Sequence, residues 1–147
     1  MIYWEKKEKL FKYTEGIRRF FPLAEEQMDL ISRLLRKYRP GIETFLDLGC
    51  GDGFLGFFIG RLYPGARGVF VDISGEMIGK ALKRSPDPDF EFIVQDLGEK
   101  DWFISIKSVE RFDLVISGYA IHHIGYGDKY RLYRDVCLSQ TDRGRKN

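Results

Sequence analysis

The sequence FLDLGCGDGFLG occupies residues 45–56 and has the features of a strand, a tight loop and the start of a helix. Its apolar beginning predicts a buried strand. Its four glycines allow positive φ values and let a ligand come close to the main chain. A helix that begins at this point also presents N–H groups that have no partner within the helix. The stretch therefore predicts a ligand-binding turn around which the domain is organised.

Apolar runs and helical patterns alternate along the middle of the chain. We predict strands at residues 44–48, 68–72, 90–94 and 113–117, and helices at residues 54–63 and 74–82, the second capped by Ser74. Nearly continuous apolar strands that alternate with helices indicate a parallel sheet with both faces covered. The predicted fold class is α/β, a Rossmann-like parallel sheet of about four strands with helices on both faces.

The remaining segments complete one predicted domain over residues 1–147. Further helices are predicted at residues 23–38 and 128–138, with a weaker helical segment at 99–111. Residues 1–22 are aromatic and charged, which suggests an N-terminal arm or lid. Residues 139–147 are polar and contain no strand pattern.

Composition excludes several classes of protein. The 24 basic and 22 acidic residues leave a net charge of +2, which gives no field that favours nucleic acid or an anionic membrane. The isolated Cys50 and Cys137 suggest neither a disulfide framework nor a zinc site, and they fit a reducing, cytoplasmic setting. No stretch approaches the roughly 20 apolar residues that a membrane helix needs, so we expect a soluble protein. We also expect no bound metal.

Carboxylates follow three of the predicted strands. Asp47, Asp72 and Asp96 fall at strand ends, and parallel sheets bind ligands beyond the carboxyl ends of their strands. We therefore expect the three side chains to share one rim.

Two cofactors compete for this rim. Gly51, Gly53 and Gly56 match the dinucleotide pattern G-x-G-x-x-G, and Asp72 lies 19 residues after Gly53, near the spacing of a ribose-binding carboxylate. NAD and other adenosine ligands fit both features. Asp47 would repel a pyrophosphate at this turn and attract a cation, which favours S-adenosylmethionine over NAD.

Four motifs in order then resemble those of class I S-adenosylmethionine-dependent methyltransferases. They are FLDLGCGDG at residues 45–53, VFVDISGEM at 69–77, FIVQDL at 92–97 and FDLVISGYAIHHI at 112–124. The resemblance covers the whole predicted sheet, and four ordered motifs are more specific than one glycine loop.

The resemblance implies roles for individual residues. Asp47 would hold the amino group of the cofactor directly or through water, and Asp72 would bind the ribose hydroxyls. Asp96 would accept a hydrogen bond from the adenine amino group, while the Leu97 N–H reaches a ring nitrogen. The remaining implied cofactor contacts are Arg18, Gly49, Cys50, Gly51, Gly53, Ile73, Met77 and Ser117.

His122 and His123 are the only histidines and follow the fourth strand. One of them would be a catalytic base or orienting group, or both would be structural residues of the loop. Methyl transfer from a sulfonium requires alignment more than acid catalysis. The expected acceptor is a small molecule; RNA stays open but has no support from the charge.

The chain departs from the family after its last helix. We expect a C-terminally shortened member that lacks the family's last three strands, with a truncated or frame-altered tail. The fourth strand would then be an exposed edge at which the chain self-associates. A cofactor-binding but inactive remnant, or a partner subunit, is the alternative to an active methyltransferase.

Overall fold

The computed structural model describes residues 24–106 and 111–140. The chain divides into two compact units, Met1–Gly41 and Ile42–Asn147, so the expectation of one domain stays a prediction. The predicted arm at residues 1–22, with Arg18, lies outside the described residues, as does the tail from residue 141 onward. No described helix has the length and apolar character that crossing a membrane requires.

The described part of the first unit contains helix α1, Ala24–Tyr38. Glu25 and Glu26 lie in its first turn, and Arg36 and Lys37 in its last. These charges complement the helix dipole, and the prediction of a helix at residues 23–38 is confirmed.

The second unit is built on a parallel sheet of four strands. The strands are β1 (Thr44–Leu48), β2 (Arg67–Asp72), β3 (Glu91–Val94) and β4 (Leu114–Ile116). Their order in the sheet is β3-β2-β1-β4 and all neighbours are parallel. Central β1 pairs Leu46 with Val69 on one side and with Val115 on the other. The predicted fold class is confirmed.

Two helices and one 3₁₀ turn connect these strands, and a second 3₁₀ turn and a third helix follow β4. The helices are α2 (Phe54–Leu62), α3 (Gly75–Arg84) and α4 (Tyr126–Gln140), and the turns are Trp102–Ser105 and Ile121–His123. The weak helix predicted at residues 99–111 is wrong for the described residues 99–106, where local bonds such as Ser105 Oγ to the Trp102 carbonyl (2.8 Å) close only the short turn. Helix α4 also includes residues 139–140, which were predicted as part of the tail.

One face of the sheet carries aromatic side chains. Phe45 and Phe70 lie on neighbouring strands with their ring centroids 5.7 Å apart, and Phe57 of α2 lies 5.2 Å from Phe70. Phe90, just before β3, lies 5.2 Å from Phe70. Because successive strand residues point to opposite faces, the odd-numbered positions of β1 belong to this layer.

The opposite face forms an aliphatic layer. Leu46, Leu48, Val69 and Val71 are almost fully buried there, together with Leu132 of α4. Helices therefore cover both faces, as predicted. Trp102 is fully buried in the same cluster, which anchors the connection between β3 and β4 to the aliphatic face of the sheet.

Candidate functional site

The glycine loop is fastened to the sheet through its main chain. The amides of Gly49 and Cys50 both donate to the Val71 carbonyl, at 2.7 and 2.9 Å. Gly49, Gly51 and Gly53 have φ values of 68°, 55° and 88°. Residues other than glycine rarely adopt these positive values. The sequence-based prediction of a turn with positive φ at this point is confirmed.

Close packing also requires glycine at position 49. A Cβ atom on Gly49 would lie 2.1 Å from the Cβ of Ala120, so the end of β1 touches the segment that follows β4. A Cβ on Gly51 would lie 3.5 Å from the Met77 methyl group. The bare main chain of Gly51 therefore lies beside Met77, and their role as cofactor contacts stays a prediction.

Asp47 is buried rather than placed on the surface of the rim. Its carboxylate is 1% exposed, and Oδ2 accepts a hydrogen bond from the Gly56 amide in α2 at 2.9 Å. Burial raises the pKa of Asp47 to about 7, the Gly56 hydrogen bond opposes this shift, and the charge of Asp72 adds to it. Asp47 thus supports the glycine loop and the start of α2 from below.

Asp72 joins the glycine loop to the start of α3. Its Oδ2 accepts from the Gly51 amide at 2.8 Å and its Oδ1 from the Ser74 amide at 2.9 Å. Ser74 caps α3, as predicted, by accepting from the Met77 amide. Ile73 between them is 66% exposed, so an apolar surface lies beside a half-buried carboxylate. That combination suits a ligand with a ring and adjacent hydroxyl groups.

The turn after β3 provides the third carboxylate. The Gln95 amide donates to the Asp72 carbonyl at 2.9 Å, which places Asp96 next to the end of β2. Asp96 Oδ1 accepts from the Gly98 amide at 2.8 Å. The Leu97 side chain is buried in the aliphatic layer, so Leu97 faces any ligand through its main chain rather than its side chain.

Ser117 connects the ends of β4 and β1. Its hydroxyl donates to the Leu48 carbonyl at 2.7 Å, immediately before the glycine loop. Tyr119 follows with φ of 58°, an uncommon conformation for a residue of this size. Ser117 therefore lies beside the loop, with its proton engaged by the main chain.

The two histidines are exposed members of the 3₁₀ turn after β4. Their ring centroids lie 3.9 Å apart, and Lys129 Nζ donates to the main-chain carbonyl of His122 at 3.5 Å. Among the described residues, no carboxylate pairs with either ring. The turn lies on the same side of the sheet as the rim because it follows the carboxyl end of β4.

Cys50 is a buried member of the glycine loop. Its thiol donates to the Gly51 carbonyl, and burial, together with the charges of Asp47 and Asp72, raises its pKa above the ordinary value. The thiol stays protonated, so Cys50 contributes shape and a main-chain amide rather than a reactive sulfur.

Sequence reasoning did not single out the ion pair between Asp52 and Arg84. Asp52 lies in the glycine loop, and its Oδ2 is 2.5 Å from Arg84 Nη1 in the last turn of α3. The only signal in the sequence was an acidic residue in the loop and a basic residue at the end of a later helix. Such pairs of residues are too common to identify a contact. The pair links the loop to a second element.

The rim thus brings together Asp72 and Asp96, whereas the expectation that Asp47 shares the rim surface is wrong, because Asp47 is buried beneath the glycine loop. A glycine loop with bare main chain, two half-buried carboxylates and an exposed isoleucine lie at the carboxyl edge of β1, β2 and β3. No three His, Cys, Asp or Glu side chains of the described residues are arranged to hold a metal. These features define an α/β protein whose site fits an adenosine-containing ligand.

The family follows from comparison with known proteins. A family model of the methyltransferase domain matches residues 46–144, which is more than half of the chain and runs from within β1 past β4. The chain belongs to this family of methyltransferase domains. The resemblance to class I S-adenosylmethionine-dependent methyltransferases is confirmed, and S-adenosylmethionine rather than NAD is the cofactor of the family.

Individual relatives agree with this membership. The chain is 28% identical over 106 residues to malonyl-[acyl-carrier protein] O-methyltransferase of Anoxybacillus flavithermus, covering 72% of this chain and 39% of that protein. It is 37% identical over 79 residues to ribosomal RNA large subunit methyltransferase G of Vibrio cholerae, covering 52% and 19%.

A solved structure supports the fold. An S-adenosylmethionine-dependent methyltransferase from Clostridium acetobutylicum superposes with a TM-score of 0.69 at 19% identity, covering 92% of this chain and 53% of that one. The chain therefore spans about half of this solved protein and less than half of the curated relatives it matches.

Proposed function

We propose that this chain binds S-adenosylmethionine at the rim of β1, β2 and β3 and transfers its methyl group to a small-molecule acceptor. The observation that carries the proposal is the half-buried carboxylate of Asp72, which lies between the bare Gly51 main chain and the exposed Ile73. A ribose beside an adenine ring fits this arrangement. S-adenosylmethionine supplies a methyl group on a sulfonium sulfur, which leaves as a thioether once an acceptor nucleophile takes the methyl.

The residues of the rim would act mainly by binding and orientation. Asp72 would accept from the ribose hydroxyls, and Ile73 and Met77 would flank the adenine. Buried Asp47 would hold the loop from below, and its ionised form would attract the amino group of the ligand. Reaction of a sulfonium requires no protonation of the leaving sulfur, so a carboxylate rim that attracts the cation provides much of what the reaction needs.

The acceptor would enter beside the turn that follows β4. His122 and His123 would lie where the acceptor enters, and either ring could take a proton from an acceptor that is poorly acidic. Their exposure and lack of a paired carboxylate in the described residues support an orienting role more than that of an activated base.

A small-molecule acceptor is favoured by the charge of the chain. Net charge is only +2, and RNA recognition normally relies on basic surface. The relatives include an RNA methyltransferase, so RNA is the second candidate acceptor. Both cysteines of the chain are free, which supports a reducing, cytoplasmic setting.

Calorimetric titration tests the cofactor assignment. We expect S-adenosylmethionine and S-adenosylhomocysteine to bind and NAD not to bind. Replacing Asp72 with Ala should weaken S-adenosylhomocysteine binding by about 10-fold or more, since a hydrogen bond to a charged group contributes about 1.5 to 3 kcal/mol. Asp89→Ala is the matched control, because Asp89 is an exposed carboxylate in the turn before β3.

The outcomes separate the candidate functions. Binding of NAD alone, or equal affinities in the Asp72 and Asp89 variants, would contradict the assignment. Tight binding of S-adenosylmethionine without turnover on small molecules or RNA would favour the alternative of an inactive remnant or partner subunit. Methylation of RNA but not of small molecules would overturn the acceptor proposed for this site.

A further inference from the structure

Helix α4 makes a hydrogen bond to the turn after β3. Arg131 Nη2 donates to the Gly98 carbonyl at 2.5 Å and to Asp128 Oδ1 at 2.6 Å. The amide of the same Gly98 donates to Asp96 Oδ1. One peptide segment therefore connects the Arg131 guanidinium to the carboxylate that is expected to meet adenine.

We propose that Arg131 is a positioning residue of the cofactor site, which fixes the turn at residues 96–98 so that Asp96 and the Leu97 amide are aligned with the adenine edge. The proposal rests on the function proposed above. Arg131 itself does not face the ligand. It acts through Gly98, whose two main-chain groups are bound on one side by Arg131 and on the other by Asp96.

The close packing of two carboxylates around Gly98 makes the position of the turn depend on Arg131. A Cβ on Gly98 would lie 3.1 Å from Asp96 Oδ1 and 3.8 Å from Asp128 Oδ2, so both carboxylates lie close to this glycine. Without a cation between helix and turn, the two negative groups would repel each other. Arg131 provides that cation and a hydrogen-bond donor at the same point.

Asp96 keeps one oxygen for a ligand. Among the described residues, Asp96 Oδ1 accepts from Gly98 and Oδ2 accepts no hydrogen bond. A small rotation of the turn would move this free oxygen and the Leu97 amide together, because both belong to the same short segment. Recognition of the adenine amino group should therefore depend on the contact made by Arg131.

A second contact supports the same orientation of α4. Trp102 Nε1 donates to Asp135 Oδ2 at 3.3 Å, and Asp135 lies one helical turn beyond Arg131. Trp102 is fully buried, so the helix face that carries both residues is directed at the β3–β4 connection. Arg131 also has a buried Nε without a hydrogen-bond partner in the described structure. The cost of that buried donor argues that the residue is not optimised for stability alone.

The test compares two ligands rather than one affinity. S-inosylhomocysteine differs from S-adenosylhomocysteine by a carbonyl oxygen in place of the adenine amino group and by a protonated ring nitrogen. The carbonyl oxygen cannot donate a hydrogen bond to Asp96, and the protonated ring nitrogen cannot accept one from the Leu97 amide. We expect the wild-type chain to prefer S-adenosylhomocysteine by about 10-fold or more, the effect of losing a hydrogen bond to a charged group.

Arg131→Met should remove most of this preference. Arg131→Lys retains a long cationic donor and should give a preference between those of the wild type and the Met variant. Arg134→Met is the matched control, since Arg134 is an exposed arginine of the same helix that pairs with Asp135 and not with the turn. The control should keep the wild-type preference.

The results are read from the ratio of the two affinities in calorimetry. Equal loss of affinity for both ligands in Arg131→Met, or an unchanged ratio, would overturn the positioning role while leaving the cofactor assignment intact. Absence of S-adenosylhomocysteine binding to the wild-type chain would instead overturn the proposed function. Because Lys retains the charge and reach of the side chain, its variant tests the role even where the Met variant does not fold.

Discussion

Asp47 should make the stability of this protein depend on pH in an unusual direction. Most carboxylates in proteins have lowered pKa values, so their ionised form stabilises the folded state. Asp47 is buried, and its pKa rises from 3.8 to about 7 mainly because of that burial. The folded chain therefore binds the Asp47 proton more tightly than the unfolded chain does.

The sign and size of the effect follow from this difference. Stability contributed by protonated Asp47 is fully present below its unfolded pKa and is lost as the pH rises through about 7. A difference of about 3 pKa units corresponds to about 4 kcal/mol. Above neutral pH the buried charge remains as a cost to the folded state.

Asp47→Asn isolates this contribution. The Asn side-chain oxygen can still accept from the Gly56 amide, and its lack of titration removes the pH-dependent part. Its amide donors add a cost that does not change with pH. In urea unfolding between about pH 4 and pH 8, the stability of the wild type minus that of the variant should fall by about 4 kcal/mol. Titrating groups that do not interact with Asp47 cancel in this difference, and the coupling of Asp47 to Asp72 is part of the measured effect.

A flat difference curve would refute the reasoning, since it would mean that Asp47 titrates alike in the folded and unfolded chains. A difference that rises with pH would also refute it, because the folded pKa would then lie below the unfolded one. Amide resonances of Gly56 followed by NMR through the same range provide a local control, since they report the protonation of their own hydrogen-bond acceptor.

The remaining predictions concern the loop and the sheet edge. Gly49→Ala should abolish S-adenosylhomocysteine binding in calorimetry and lower the melting temperature, because Gly49 has positive φ and its Cβ would meet Ala120 at 2.1 Å; wild-type affinity and melting would contradict this. We also expect the chain to self-associate through β4, which pairs only with β1 among the described strands. Light scattering that shows a monomer at all concentrations would contradict that expectation.

Strand and helix interiors could be predicted from the sequence more closely than their ends. The bounds of β1 agree with the prediction because both neighbours, Glu43 and Gly49, differ in character from the strand. Strand β4 is shorter than residues 113–117, because the Asp113 carboxylate accepts from the Glu43 and Thr44 amides and Ser117 bonds through its side chain. Such side-chain contacts between distant segments leave no local pattern.

The carboxylates of the site could be predicted from the sequence, but the directions of their side chains could be predicted only in part. Asp47 alternates with Phe45 along β1, so the period of two already placed it on the aromatic face rather than at the rim. The contacts of Arg131 and Arg84 depend on helix orientation across more than 30 residues of chain. No spacing rule addresses such contacts.

The same hydrogen-bond arrangement occurs at all three strand ends of the site. Asp47, Asp72 and Asp96 each accept a hydrogen bond from a glycine amide, at 2.9, 2.8 and 2.8 Å. Glycine lets the main chain come close enough for an amide to reach a short side chain. Each carboxylate therefore fixes part of the main chain of the site before a ligand binds, and removal of Asp72 or Asp96 combines the loss of an expected ligand contact with a change of loop geometry. Substitution by Asn retains an acceptor for the glycine amide, whereas substitution by Ala does not, so at Asp47, which is 1% exposed, the difference between the two variants measures the part of cofactor affinity that depends on loop geometry.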